Sequence, residues 1–367
     1  MPEAFETIRQ AAGSVHDPEL RRTLGELGMI GDIAETDAGI EVEVRLTIVG
    51  CPMSDRIERE VQATAQAVTD RDVRVRLEVM SVDEREALIA KLREGRPART
   101  NPFTADSLTR VIAVSSGKGG VGKSTMTANL AVAFANLGLS VGLIDADVHG
   151  FSIPGLLGLG EAKPTRVGEL ILPPEAHGVR VISIGMFLDD TSTAVAWRGP
   201  MLHRTIQQFL TDTYFGDLDV LLIDLPPGTG DIALSMGQLL PHAEVLVVTT
   251  PQSAAAEVAA RSGQVAVQTG QRVRGVIETM SGWMQPDGSI VELFGSGGGR
   301  QLAATLNVPL LGQVPLSLAL REGGDAGEPV LLSHPDDPAA IAIRHIAEQL
   351  LTRPESLAGQ SLPVTPK

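Results

Sequence analysis

Residues 115–125 read SSGKGGVGKST, and the meaning of this stretch decides the fold. Within it, GKGGVGKST (117–125) satisfies G-x-x-x-x-G-K-[ST]. It lies between the apolar run RVIAVSS and the helical stretch TANLAVAFANLG. A strand before and a helix after is the setting in which that pattern forms a phosphate-binding loop. Gly117, Gly119, Gly120 and Gly122, with Val121 among them, let the backbone wrap a phosphate with its N–H groups turned inward. The helix beginning near Ser124 adds the positive end of its dipole. Lys123 is expected to neutralise β- and γ-phosphate oxygens, and the Ser124 hydroxyl to bind Mg²⁺; Thr125 completes the loop.

Outward from the loop, short apolar runs recur: SVGLIDAD, VRVISIG, DVLLIDLPPG, AEVLVVTTP, RGVIETMS and VPLLGQVP, most of them separated by helical segments. This alternation predicts a doubly wound, mostly parallel sheet with helices on both faces, the α/β class, over residues 108–355. Residues 1–95 have a different texture and predict a small α/β unit. EAFETIRQAAGSV and DRIEREVQATAQAVTD have helical spacing, while GIEVEVRLTIV and VRVRLEVM alternate like half-buried strands. The charged helix that starts at SVDEREAL decays into Arg-, Pro- and Asn-rich sequence, so 96–107 is expected to be a linker. Residues 356–367 are expected to be a loose tail.

Composition narrows the function classes. The 367 residues carry 30 basic and 45 acidic side chains, a formal charge of −15, and aromatics make up 3%. No basic stripe with interleaved aromatics is present, which opposes sequence-independent binding to nucleic acid or anionic lipid. No apolar run reaches the roughly 18 residues that span a bilayer, and the acidic N-terminus lacks a secretory h-region. Cys51 is the single cysteine, which excludes an internal disulfide and fits a reducing compartment. The expectation is a cytoplasmic protein with no nucleic acid and no membrane among its partners.

The loop holds a second lysine, Lys118, placed too early to reach a phosphate within its own subunit. It is either a solvated surface lysine or a cation offered to a nucleotide on a paired subunit. GKGGVGKST resembles the deviant Walker A loop of MinD/ParA-type ATPases. That resemblance implies a nucleotide-sandwiched homodimer in which Lys118 acts across the interface. LLIDLPPGTGD (221–231) puts Asp224 at a strand end, the position of a Mg²⁺-binding acid, and the following PPGTGD resembles a γ-phosphate-sensing switch. In LIDADVHG the resemblance implies that Asp147 orients the attacking water and Asp145 sits nearer the metal.

DADVHGFSIPGLLGL, WRGPMLHRTIQQFL and FGSGGGRQLAATLNVPLLGQVPL, with the acidic strand above, resemble Mrp/ApbC-type iron–sulfur cluster carrier ATPases across 108–335. VHDPELRRTLGELGMI and LTIVGCPMSD resemble the small domain that often precedes that ATPase and recurs in iron–sulfur assembly factors. The resemblance implies an ATPase using ATP and Mg²⁺ that passes an iron–sulfur cluster to apoproteins, with assembly factors as further partners. The chain departs from the family where a C-x-x-C pair usually follows RGVIETMS. Here the sequence is MSGWMQPDGSIVELFG, with Gln285 and Gly288 near the cysteine positions, and neither is a soft iron ligand. Cys51 is then the candidate cluster thiol, or else a small buried turn residue. No two of the seven histidines, His149 and His203 included, have metal-ligand spacing. Thr279 stands where the family usually has a base-recognising Asn.

Two other readings stay open. One is a nucleotide-gated scaffold for iron–sulfur assembly that holds no cluster. The other is a MinD/ParA-like positioning ATPase, for which the C-terminal LTRPESLAGQSLPVTPK offers neither a membrane helix nor a basic surface.

Overall fold

The structure is a computed structural model that describes residues 2–94, 97–148, 150–188, 199–285 and 287–352. His149, Arg96, Trp197 and Arg198 of the WRGP segment, and the expected tail lie outside the described residues. The strands, in chain order, are β1 (Ile30–Thr36), β2 (Gly39–Leu46), β3 (Val73–Val79), β4 (Arg110–Ser116), β5 (Val141–Asp145), β6 (Thr165–Val167), β7 (Leu170–Leu172), β8 (Glu175–Ala176), β9 (Val179–Ser183), β10 (Val220–Asp224), β11 (Glu244–Thr249), β12 (Arg272–Met284), β13 (Ile290–Val291) and β14 (Leu310–Leu316).

Nine of these form one sheet. From one edge the order is β14, β12, β11, β4, β10, β5, β9 and β8, with β13 added to the end of β12. Neighbours are parallel except at β8 and β13, which pair antiparallel at the margins. Every residue of β5, β9 and β10 is buried. Strands covered on both faces can be largely apolar, which explains the Val, Leu and Ile content of VGLID, VRVIS and VLLID. One face packs under the helices Lys123–Asn136 and Pro338–Leu351. The other is covered by Gly199–Asp212, Asp231–Leu239, Ser253–Gln268 and Gly298–Leu306. The expected doubly wound architecture is present. Its P-loop strand, β4, lies between β10 and β11, so the two acid-bearing strands β10 and β5 end beside the loop.

The N-terminal unit is a three-stranded sheet in the order β1-β2-β3, antiparallel and then parallel. Its two short capped helices follow from sequence. Thr23 and Ser81 each accept from the backbone three residues on, and Glu26 and Glu84 reach back, which closes two capping boxes. Strand β1 was not anticipated, because IGDIAET mixes polar residues into an edge strand whose pattern is mostly exposed. The core of this unit also takes in Val167, Leu170 and Leu172 from the β6–β7 hairpin, inserted far along the chain in the second unit. Thr165 Oγ1 donates to Glu19 Oε1 at 2.7 Å across the same seam. The expected linker is docked at its far end: Phe103 is buried against Phe215 with ring centroids 6.3 Å apart, and Asn101 Nδ2 donates to Leu239 O at 3.3 Å. Among the described residues no helix is long and apolar enough to cross a membrane.

Candidate active site

The loop backbone shows why its glycines stand where they do. Gly120 and Gly122 have φ of 76° and 78°, in the left-handed region that a side chain resists. Gly117 is needed for a different reason: a Cβ there would lie 2.3 Å from the backbone nitrogen of Ala259, on the helix Ser253–Gln268. Gly122 then starts the helix Lys123–Asn136, so its first free N–H groups face the cleft.

Parallel pairing sets Asp224 beside Asp145, and both strands end at this point. Asp224 is fully buried, yet its carboxylate has three donors: Lys123 Nζ at 2.6 Å and Ser124 Oγ at 2.5 Å on Oδ2, and Thr127 Oγ1 at 2.7 Å on Oδ1. Burial pushes its pKa up, while the Lys123 charge and the hydroxyls pull it back down. Lys123 Nζ also lies 3.2 Å from Ser124 Oγ and 3.6 Å from Asp147 Oδ2. Thr127 was missed by sequence reasoning. Its signal was available in the i, i+4 spacing from Lys123 on one helix face.

Asp145 holds the turn that follows its own strand. Its oxygens accept from the backbone N–H of Asp147 (3.1 Å) and Ile153 (3.3 Å) and from Ser183 Oγ (3.1 Å). None of its hydrogen bonds among the described residues reaches Ser124 or Lys123. Burial first, then the neighbouring Asp224 charge, pushes its pKa up to about 7. Asp145 therefore braces the turn that presents Asp147, whose Oδ1 accepts from Gly150 N at 3.1 Å. The PPGTGD segment is tied to the loop's base, with Gly228 N donating to Ser116 O at 2.8 Å.

Lys123, Ser124 and Asp147 line a cleft of about 460 Å³ together with Pro226 and Pro227. Gly122 and Thr125 also line an adjoining cavity of about 270 Å³, walled mostly by apolar groups such as Met126, Leu156 and Pro315. Thr279 stands at its wall, but its Oγ1 lies 2.6 Å from Val121 O and 3.1 Å from Thr249 O. Its hydroxyl thus pins the loop backbone to the end of β11. Lys118 is exposed and donates to Gln252 Oε1 at 3.2 Å, away from the acids.

The donor set fits its expected occupants: inward N–H groups and Lys123 suit phosphate oxygens, and the Ser124 hydroxyl with the Asp224 carboxylate suits a hard dication. No comparable set for iron appears. Among the described residues no group of three or more His, Cys, Asp or Glu side chains is placed to hold a metal ion. Gln285 and Gly288 form a tight turn, Gly288 N donating to Gln285 O at 2.9 Å. Cys51 sits in the N-terminal core, 5% exposed, with its sulfur 3.9 Å from Glu19 Oε2. Burial pushes the Cys51 thiol up to about 11.

Comparison with known proteins agrees with this geometry. The family described as "NUBPL iron-transfer P-loop NTPase" matches residues 107–351, and the family "Iron-sulfur cluster assembly protein" matches residues 6–77. The "Iron-sulfur cluster carrier protein" of Mycobacterium tuberculosis (strain ATCC 25618 / H37Rv) is 54% identical over 368 residues, covering 98% of this chain and 96% of the relative. The protein of that name from Synechocystis sp. is 40% identical over 342 residues, covering 92% and 94%. A solved nucleotide-binding protein from Archaeoglobus fulgidus, in complex with ADP, superposes with a TM-score of 0.53 at 38% identity, covering 59% of this chain and 86% of that one.

Two outcomes are expected. Gly117→Ala has no room for its methyl against Ala259, so nucleotide affinity falls by at least about tenfold in calorimetry, whereas Gly160→Ala, outside the cleft and meeting nothing within 4 Å, binds normally. For Cys51, the folded thiol holds its proton more tightly than the unfolded one. Its contribution to stability is therefore present below about pH 9 and is lost as pH rises from about 9 to 11. Iodoacetamide labelling of the native protein, followed by mass spectrometry, should climb about tenfold per pH unit to near pH 11, and a plateau near pH 9 would contradict the burial.

Proposed function

The chain belongs to the NUBPL iron-transfer P-loop NTPase family, and from that membership we propose that it is an ATP-hydrolysing dimeric carrier of iron–sulfur clusters to apoproteins. The observation that carries the nucleotide half is the Lys123–Ser124–Asp224 cluster at the mouth of the glycine loop. The loop N–H groups and Lys123 grip the β- and γ-phosphates. Ser124 and Asp224 would hold Mg²⁺, which supplies charge neutralisation at the phosphate oxygens when bound. Asp147, held by Gly150 N and braced from below by Asp145, is the group that orients the attacking water. The adjoining apolar cavity takes the base, with the Thr279 hydroxyl engaged on the loop rather than on the ligand.

Lys118 is the reason for reading the enzyme as MinD/ParA-like. An exposed ammonium held by one neutral amide can swing away at small cost. In a face-to-face homodimer it would reach the partner subunit's phosphates, so that ATP closes the pair and hydrolysis releases it. Iron–sulfur apoproteins and assembly factors are the proposed partners, following the relatives' names. A second reading, a nucleotide-gated scaffold that holds no cluster, is favoured by one observation: the hairpin at the usual C-x-x-C position carries no thiol and Cys51 is buried.

Lys123→Ala should abolish ATP binding in calorimetry, with circular dichroism confirming the fold. Lys118→Ala should bind ATP normally yet lose hydrolysis by roughly 10³-fold; normal turnover in that variant would remove the trans role. Anaerobic reconstitution with iron and sulfide separates the two cargo readings. A stoichiometric cluster that disappears in Cys51→Ala supports carriage through that thiol, whereas protein free of iron supports the scaffold.

A further inference from the structure

A cavity of about 540 Å³ lies at the seam between the two units and shares no lining residue with the nucleotide cleft or the cavity beside it. Pro52, Met53 and Arg56 of the N-terminal unit form one wall. Leu172, Pro173 and Pro174, where β7 leads into β8, form another. Proline fixes its own φ, so these walls are stiff. The turn that follows is fixed as well: His177 and Gly178 have φ of 52° and 77°, which closes the β8–β9 hairpin in two residues. Glu19 and Thr165, hydrogen-bonded to each other across the seam, also line the space. Both units therefore build it together.

Arg180 lines the same cavity and is short of partners. It is only 9% exposed, yet its guanidinium makes no hydrogen bond among the described residues. Its one ion pair among them is long, from Nε to Glu175 Oε2 at 3.8 Å. Strand register sets that pair, because Arg180 of β9 stands opposite Glu175 of β8. The same Oε2 is already engaged by Arg21 Nη2. Two guanidinium groups thus share one carboxylate oxygen. Asp217 attracts Arg180 as well, but forms no ion pair with it among the described residues. Burial, then the Arg21 charge, holds the Arg180 pKa below its ordinary value. A guanidinium carries five N–H donors, and a buried charge is tolerable only when such donors are met.

We infer that this cavity is a binding site for a small organic acid, with the carboxylate on Arg180 and the hydrocarbon body against the proline and methionine walls. The guanidinium fork matches the two oxygens of a carboxylate. Phosphate fits less well. Glu19 and Glu175 already line the cavity, and they repel a doubly charged phosphate more than a singly charged carboxylate. The volume lies in the range of small-molecule sites, roughly 300–1,000 Å³. Because both units contribute walls, a ligand there touches both and stabilises their seam by mass action. The site needs neither the glycine loop nor Cys51.

Saturation-transfer NMR on the full chain tests this, with Mg·ADP filling the nucleotide cleft, hexanoate as the probe and 1-hexanol as its uncharged control. Hexanoate is expected to bind, and hexanol to bind at least about tenfold more weakly, since it offers no charge to Arg180. Arg180→Gln should weaken hexanoate by about tenfold, while its unchanged affinity for ADP shows that it folds. Arg56→Glu, which reverses a charge at the exposed rim, serves if Arg180→Gln does not fold, and should weaken hexanoate by roughly threefold. No hexanoate binding to wild type overturns the proposal, as do equal signals from hexanoate and hexanol. Unchanged hexanoate binding in the folded variant overturns it too. Inorganic phosphate that displaces hexanoate at lower concentration than hexanoate itself requires marks a phosphate site and overturns the carboxylate assignment.

Discussion

A carboxylate with no access to water sits at the centre of this molecule. Asp224 is wholly buried, and an ion there is tolerable only because an ammonium and two hydroxyls meet it within hydrogen-bond distance. Removing one member of such a pair typically costs about 3–5 kcal/mol, because the survivor is left charged and unpaired. All three partners come from the first five residues of one helix, so the helix cannot slide or rotate against β10 without breaking the set. The same constraint places the glycine loop, because that helix begins where the loop ends.

From this anchor the rest of the cleft is organised in layers. Asp145, one strand away, is held by two backbone N–H groups and Ser183, and it shapes the turn on which Asp147 stands. Gly228 is tied to Ser116, and Thr279 is tied to Val121, so the switch segment and β12 both grip the loop backbone. A change in what the phosphates contact therefore reaches both elements through single hydrogen bonds.

The N-terminal unit is joined to the ATPase unit by more than the intervening chain. Its core is completed by Val167, Leu170 and Leu172 of the β6–β7 hairpin, and Glu19 accepts from Thr165 beside Cys51. The single thiol of the chain lies near this seam rather than near the loop. Its sulfur is covered, and burial raises its pKa.

How much was legible beforehand depends on whether a signal was local. The glycine loop, Lys123, Ser124 and the strand-end position of Asp224 could be read directly, because a fixed spacing along the chain forces those groups into one loop and one helix turn. The buried strands announced themselves as short, largely apolar runs. What the tertiary structure alone decided was which side chain spends its hydrogen bonds where. Ser183 reaches Asp145, Thr279 clamps the loop, and the β6–β7 hairpin fills a core that begins more than a hundred residues earlier. Each of these depends on partners far apart in the chain, and no periodicity or spacing encodes a contact that only sheet register and packing bring about.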